Sequence, residues 1–253
     1  MFYSQFGEDE ILFEMFQRKT SGFCVEVGAN NGIDDSTSLF FEQIGWKCIL
    51  VEPNPSLCRE ILKERNALLY ECAASNQSDP RNLYVVEGAV RSDGLSTIST
   101  NKEVHERIKS HGFVTTSVQV RSMTLDRILM DAHIDREIDF ISIDVEGHEY
   151  EVLNGFSVGK WKPFIILIED NSNFENNTVN SYLKTFGYVR FMRTGVNDWY
   201  AHRTNKQLVN IRAKSRIMWL ILKTKSKKRL RKIPLLVTIR NLLRGQQRDH
   251  YAS

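Results

Sequence analysis

Apolar positions along the first two hundred residues follow two alternating rhythms. Short apolar-rich runs of five or six residues fall at 22–27, 47–52, 67–72, 138–143, 164–169, 188–193 and 198–202. Runs of that length, bounded by Gly, Pro, Asn or Asp, predict strands. Between them, apolar residues recur three and four positions apart, as helices require. Ile11, Leu12, Met15 and Phe16 mark a helix within 8–18; Leu39, Phe40, Phe41 and Ile44 mark one within 36–44, stopped by Gly45. Further helices are expected over 56–65, capped by Ser56; over 124–130, capped by Thr124; after Glu149, on Tyr150, Val152 and Leu153; and over 178–186, closed by Gly187. Alternating strands and helices predict an α/β fold: a Rossmann-like, seven-stranded, mostly parallel sheet with helices on both faces. The last two strands lie so close in sequence that they are expected to pair antiparallel.

Residues 75–122 break the rhythm. Two β-like pieces, 82–87 and 117–122, flank a Gly/Ser/Thr-rich stretch at 94–100. This is expected to be an insertion between the third and fourth strands, either walling a substrate pocket or forming a surface hairpin. A second change comes after 202. Residues 203–253 hold 15 of the 34 Lys and Arg but one of the 31 Asp and Glu, a net +14 against −11 for the remainder. The chain therefore divides into a domain at 1–202 and a basic amphipathic tail at 203–253. Within the tail, Leu208, Ile211, Met218 and Leu222 fall on one side at helical steps, interleaved with Lys206, Arg212, Lys214, Arg216 and Lys223.

Composition fits a globular chain, 42% hydrophobic and 26% charged. No stretch approaches the roughly 18 apolar residues of a membrane span, and the acidic N-terminus does not resemble a signal peptide. Cys24, Cys48, Cys58 and Cys72 form no Cys-x-x-Cys pair and suit buried reduced thiols. The expected location is cytoplasmic, with peripheral attachment to the inner membrane face open to the tail.

The most specific chemistry lies where the first strand ends. The run Cys24–Gly32 carries a strand into the loop Gly28-Ala29-Asn30-Asn31-Gly32, and the next strand ends in Glu52 and Pro53. A strand, a glycine loop, a helix and an acid on the next strand form a nucleoside site, the acid accepting from the ribose hydroxyls. The loop lacks the middle glycine of a dinucleotide fingerprint, and Glu26, Asp34 and Asp35 surround it, which disfavours a pyrophosphate. An acidic loop suits a cation, and S-adenosylmethionine carries an ammonium, a sulfonium and an adenosine. Glu26, Gly28, Asn30 and Gly32 are candidates around its methionine part, Glu26 alternatively only bracing the turn. Glu52 and Pro53 belong beside the ribose, and Ala73 or Asn76, after the third strand, at the adenine edge.

Ligands of open α/β sheets sit beyond the carboxyl ends of the strands. The fourth strand ends in Asp144-Val145-Glu146-Gly147-His148-Glu149 and the fifth in Glu169-Asp170-Asn171. Asp144 and Glu146 can hold the cationic donor or take a proton from an acceptor hydroxyl. His148 can serve as that base, or play a structural part at its helix start. The spacing of these groups does not specify a metal, and none is assigned.

These segments together resemble the FkbM-type methyltransferases. The similarity rests on TyrSerGlnPheGlyGluAspGlu at 3–10, GluValGlyAlaAsnAsnGly at 26–32, ValGluProAsnPro at 51–55, IleAspValGluGlyHisGlu at 143–149 and the strand end IleGluAsp at 168–170. The resemblance implies a class I methyltransferase fold and O-methylation, frequently of a sugar in a glycan, a lipopolysaccharide or a secondary metabolite. It also implies that Gln5 packs beside the donor and that Asp144 and Glu146 line the reaction centre. The expected acceptor is a carbohydrate or small molecule, and the expected partner of the tail is an anionic membrane surface. Nucleic acid is disfavoured, since no aromatic-rich basic face accompanies the charge. The alternatives are an RNA methyltransferase gripping its substrate with the tail, and a non-catalytic membrane-associated adaptor.

Overall fold

The computed structural model describes residues 1–87, 96–99, 106 and 114–231. Its elements, in chain order, are α1 (Glu8–Met15), β1 (Phe23–Val27), α2 (Leu39–Gln43), β2 (Lys47–Glu52), α3 (Pro55–Glu64), β3 (Leu68–Glu71) and β4 (Ala73–Ala74). Next come β5 (Arg81–Glu87), β6 (Val114–Val120), β7 (Ser122–Met123), α4 (Leu125–Asp131), β8 (Phe140–Ile143), α5 (Glu149–Asn154) and α6 (Val158–Trp161). The chain continues through β9 (Ile165–Glu169), α7 (Thr178–Thr185), β10 (Tyr188–Thr194), β11 (Asn197–His202) and α8 (Ile211–Arg231).

The expected seven-stranded sheet is present, in the order β10-β11-β9-β8-β1-β2-β3. β1, β2, β3, β8 and β9 run parallel, while β11 is antiparallel to both its neighbours, β9 and β10. The strand order reverses at β1, between β2 and β8, which is where α/β sheets open a ligand crevice.

Side-chain alternation divides the sheet into two packed faces. Val25, Val27, Ile49, Val51, Ile141, Ile143, Ile166 and Ile168 point to one face and meet Leu125 and Ile128 of α4, Val152 and Leu153 of α5 and Leu183 of α7. Cys24, Cys48, Phe140, Ile165 and Leu167 point to the other, under Leu12 of α1 and Phe41 of α2. Helices thus cover both faces. The four cysteines are free and buried.

Several boundaries shift for local reasons. α3 starts at Pro55, a residue suited to a first helical position, and its cap is Asn54, whose side chain accepts from Ser56 N, not Ser56 itself. Thr124 caps α4 as expected, accepting from Arg127 N. The third strand ends at Glu71, and the chain then switches partner, so Ala73 and Ala74 pair with Ser122 and Met123. Within the insertion β5 and β6 pair antiparallel, and Thr97 adds a bridge at Tyr84. Of the stretch 94–100, residues 94, 95 and 100 lie outside the described residues, as does the tail beyond 231.

Gly28 is the most crowded of the described glycines. Its φ is +84°, and a Cβ there would stand 1.7 Å from the Asp144 carbonyl oxygen. Gly7 has a similar φ of +77° but nothing within 4 Å of such a carbon. Gly7→Ala is therefore expected to cost roughly 1 kcal/mol of stability, the penalty of left-handed backbone alone. Gly28→Ala adds a backbone collision and is expected to cost at least about 3 kcal/mol. Denaturant unfolding of the two variants in parallel checks the difference; equal losses would contradict it.

Candidate active site

The loop after β1 is held from below by a buried polar cluster. Glu26 accepts from Ser36 Oγ (2.8 Å), Thr37 N (2.7 Å) and Ser38 Oγ (2.6 Å). Arg65, at the end of α3, donates to those same hydroxyls, at 3.3 Å to Ser36 and 2.8 Å to Ser38, and to the Gly32 carbonyl. Its Nε meets Glu42 at 2.8 Å. Glu26 therefore spends most of its accepting capacity on residues 36–38. That is the bracing role, one of the two readings its position leaves open, and the residue also edges the cleft described below. Gly32 lies beneath the loop against Ile61 and Arg65, so it too supports the site without facing it.

Glu52 is held differently. It is 5% exposed, and its two oxygens accept from Asn30 N (3.0 Å) and Asn54 N (2.8 Å). Each oxygen retains a lone pair. Burial raises its carboxyl to about 7, against the lowering effect of the two backbone bonds. It borders a narrow cavity of about 50 Å³ with Gly28, Asn30, Pro53, Leu57, Ala73 and Ala74, roofed by Leu83, Ser96, Thr97 and Ile98. The insertion does wall the pocket, therefore, and is not a detached surface hairpin. Thr97 further ties it to the β8 loop by donating from Oγ1 to the Glu146 carbonyl at 2.9 Å.

The cavity opens into a cleft of about 260 Å³ that shares Val27, Gly28, Asn30, Asp144 and Glu146 with it and adds Gln5, Glu8, Glu26 and Glu169. Sheet register explains this gathering. Ile143 pairs with Ile168, and Glu169 with Asn197, so Asp144, Glu169 and Asn197 share one rung and one face. Carboxylate oxygens of Asp144, Glu146 and Glu169 lie within 4.8 Å of one another. Such a set can hold a cation, whether an organic cation or a metal ion. Burial, and then the charges of Glu146 and Glu149, raise the Asp144 carboxyl to about 8. Its side is open to water, so repulsion among the carboxylates is the larger lasting contribution. Burial and the same neighbours raise Glu169, and burial raises Glu149 to about 7. Glu149 anchors the loop, accepting from Gly147 N at 2.8 Å.

Gln5 reaches the cleft because the N-terminal segment is pinned there. Asp9 accepts from Tyr3 N and Ser4 Oγ, both at 2.6 Å. Glu8 accepts from Thr194 Oγ1 (2.6 Å) and Asn197 Nδ2 (3.0 Å).

Two expected site residues fall elsewhere. Asn76 stands in a neighbouring polar groove of about 760 Å³, not in the Glu52 cavity with Ala73; its Oδ1 is occupied by Ser75 and Arg81. His148 also borders that groove, but it is buried and both ring nitrogens have partners: Ser75 Oγ at 3.0 Å from Nε2 and Glu151 at 3.6 Å from Nδ1. Burial lowers its pKa despite the raising influence of Glu151. This geometry makes His148 an anchor for the β8 loop instead of a free base. The residues that the sequence leaves unassigned are Glu169, Glu8 and Arg65. Glu169 had a visible signal, its position at a strand tip.

A sequence-family model described as the methyltransferase FkbM domain matches residues 26–190. A solved structure titled methyltransferase FkbM, from Methylobacillus flagellatus KT, is 15% identical with a TM-score of 0.45. The match covers 72% of this chain, which spans less than half, 44%, of that one. A precorrin-6y C5,15-methyltransferase from Geobacter metallireducens GS-15 is 12% identical with a TM-score of 0.38, covering 76% of this chain and 84% of that one. No curated protein matches the chain.

The raised carboxyl of Glu52 has a signed consequence. A carboxyl whose folded pKa exceeds its unfolded value stabilises fully below the unfolded value, near 4.5, and that contribution is lost as pH rises through about 7. Glu52→Gln cannot ionise, so its stability relative to wild type is expected to climb by up to about 3 kcal/mol between pH 5 and pH 8.5. Paired denaturant melts across that range test this, and a flat difference would refute it.

Proposed function

The chain belongs to the FkbM methyltransferase family, and on that premise we propose that it is an S-adenosylmethionine-dependent O-methyltransferase acting on a sugar hydroxyl of a glycan, a lipopolysaccharide or a related metabolite. The observation that carries this proposal is the joining of two unlike spaces at Gly28: a narrow, largely apolar cavity ending on Glu52, and a cleft edged by carboxylates. The acid and apolar walls of the first suit an edge of an adenosine, and the second suits a pair of positive charges.

The residues present fit that donor. Glu52 keeps a lone pair on each oxygen for a ribose diol, while Pro53, Leu57 and Ala73 offer apolar walls to a purine. Asp144, Glu146 and Glu169 offset an ammonium and a sulfonium, and Gln5 closes the rim. When bound, S-adenosylmethionine supplies a methyl group already activated by its sulfonium. What remains for the protein is alignment and removal of one proton.

Asp144 is assigned as the proton acceptor, with Glu146 beside it. A carboxyl raised by its acidic neighbours is a stronger base than an ordinary one, and a neighbouring cation favours its ionised form. The 760 Å³ groove meets the cleft at Glu169 and suits a polyol: Gln77, Asn171 and Asn176 offer amides, and Tyr150 an aromatic ring, beside Glu151. His148 positions the loop that carries Asp144.

Calorimetry with S-adenosylhomocysteine is expected to show binding that weakens about 10–100-fold in Glu52→Ala, since two buried hydrogen bonds to the ribose are lost. With a sugar acceptor in hand, Asp144→Asn is expected to lower turnover by roughly 10²–10⁴. Turnover unchanged in Asp144→Asn would remove its role as base, and unchanged binding in Glu52→Ala would remove the ribose site.

A further inference from the structure

α8 carries apolar residues on two opposite sides. Ile217 faces inward and is buried, and Ala213 packs against the cluster beneath α1. The helix lies along β10, at the sheet edge. On the outer side stand Ile211, Met218 and Leu222, spaced seven and four residues apart and therefore stacked on one face. They are 81%, 64% and 59% exposed, and Trp219, one position round, is 56% exposed. At 1.5 Å per residue this ridge runs roughly 16 Å along the axis. Among the described residues, nothing covers this apolar surface.

Cations border it. A helical step of 100° places Lys214 on one flank and Arg212, Arg216 and Lys223 on the other. Lys223 Nζ lies 4.5 Å from the centre of the Trp219 ring. The whole helix contains nine Lys and Arg and no Asp or Glu. No helix among the described residues is long and apolar enough to cross a membrane.

We propose that α8 is an in-plane docking surface for an anionic lipid bilayer, with Ile211, Met218, Trp219 and Leu222 entering the headgroup–acyl boundary and the flanking cations meeting lipid phosphates. An exposed apolar ridge flanked by positive charge is the pattern that interfacial helices present to anionic lipid. Charge complementarity selects this occupant. A second copy of the chain, laid ridge to ridge, would bring two helices of charge +9 together without a counter-charge on either. A nucleic acid would use the cations but leave the aliphatic ridge wet. The proposal does not depend on which acceptor is methylated.

The test is co-sedimentation of the full chain with vesicles of phosphatidylcholine alone and of phosphatidylcholine mixed with phosphatidylglycerol. The expected result is binding to the mixed vesicles only, weakened by added salt, with a blue shift of tryptophan emission that Trp219→Phe abolishes. Met218→Glu/Leu222→Glu is expected to reduce the bound fraction at least about tenfold with the thermal midpoint unchanged, because neither side chain is packed. Failure to sediment with mixed vesicles would overturn the proposal. So would equal binding by the double variant, which would leave only a diffuse charge effect. A dimer in light scattering that the double variant dissociates, without vesicle binding, would assign the ridge to self-association. Salt-sensitive RNA binding without vesicle binding would assign the cations to nucleic acid.

Discussion

The buried guanidinium of Arg65 fixes the geometry on which the rest of the site depends. It reaches Glu42, the Gly32 carbonyl and the hydroxyls of Ser36 and Ser38, and those hydroxyls donate onward to Glu26. A positive and a negative group are thereby connected through two serines, with the connecting loop as filling. Charges removed from water are tolerated only when their hydrogen-bonding capacity is met in this way. The loop's shape then presents Asn30 N to Glu52, so the acid at the tip of β2 is oriented by the same cluster that closes the first turn. The helix after β1 is short, five residues, and carries Leu39 and Phe41 into the core beside that polar cluster.

Much of this was legible in the sequence because it follows from period and order. A run such as CysIleLeuValGlu can be little other than a buried strand with an acid at its end, and five such ends on one parallel sheet must meet at one edge. Strand count, the antiparallel finish and the placement of Glu52, Asp144 and Ala73 came from that logic. The cluster of Asp144 with Glu169 was half legible: both sit at strand tips, but facing each other requires the register Ile143 to Ile168. Register is set by how two faces pack, which no single run of residues reveals.

Three polar residues show a common limit. Asn76 lies outside the Glu52 cavity, and for Glu26 and His148 the sequence leaves both a ligand-facing and a structural role open. In the fold each is a polar group with local partners, whether Ser36–Ser38, Arg81 or Ser75. A sequence displays the type of a side chain but not whether its hydrogen-bonding capacity is already spent. Arg65 was invisible for the converse reason. At the end of an amphipathic helix it resembles an ordinary solvated cation, and only the approach of the glycine loop from 33 residues upstream turns it inward.

Gly28 and Asp144 touch through their backbones, with room for a hydrogen and nothing larger. The two halves of the sheet are geared together at that tooth. A shift of one strand end must be matched by the other, so the spacing across the cleft is fixed at that point. The outer groove, lined by Gln77, Asn171 and Asn176 among others, does not include that contact, so its walls can be rebuilt without moving the point where the strands meet.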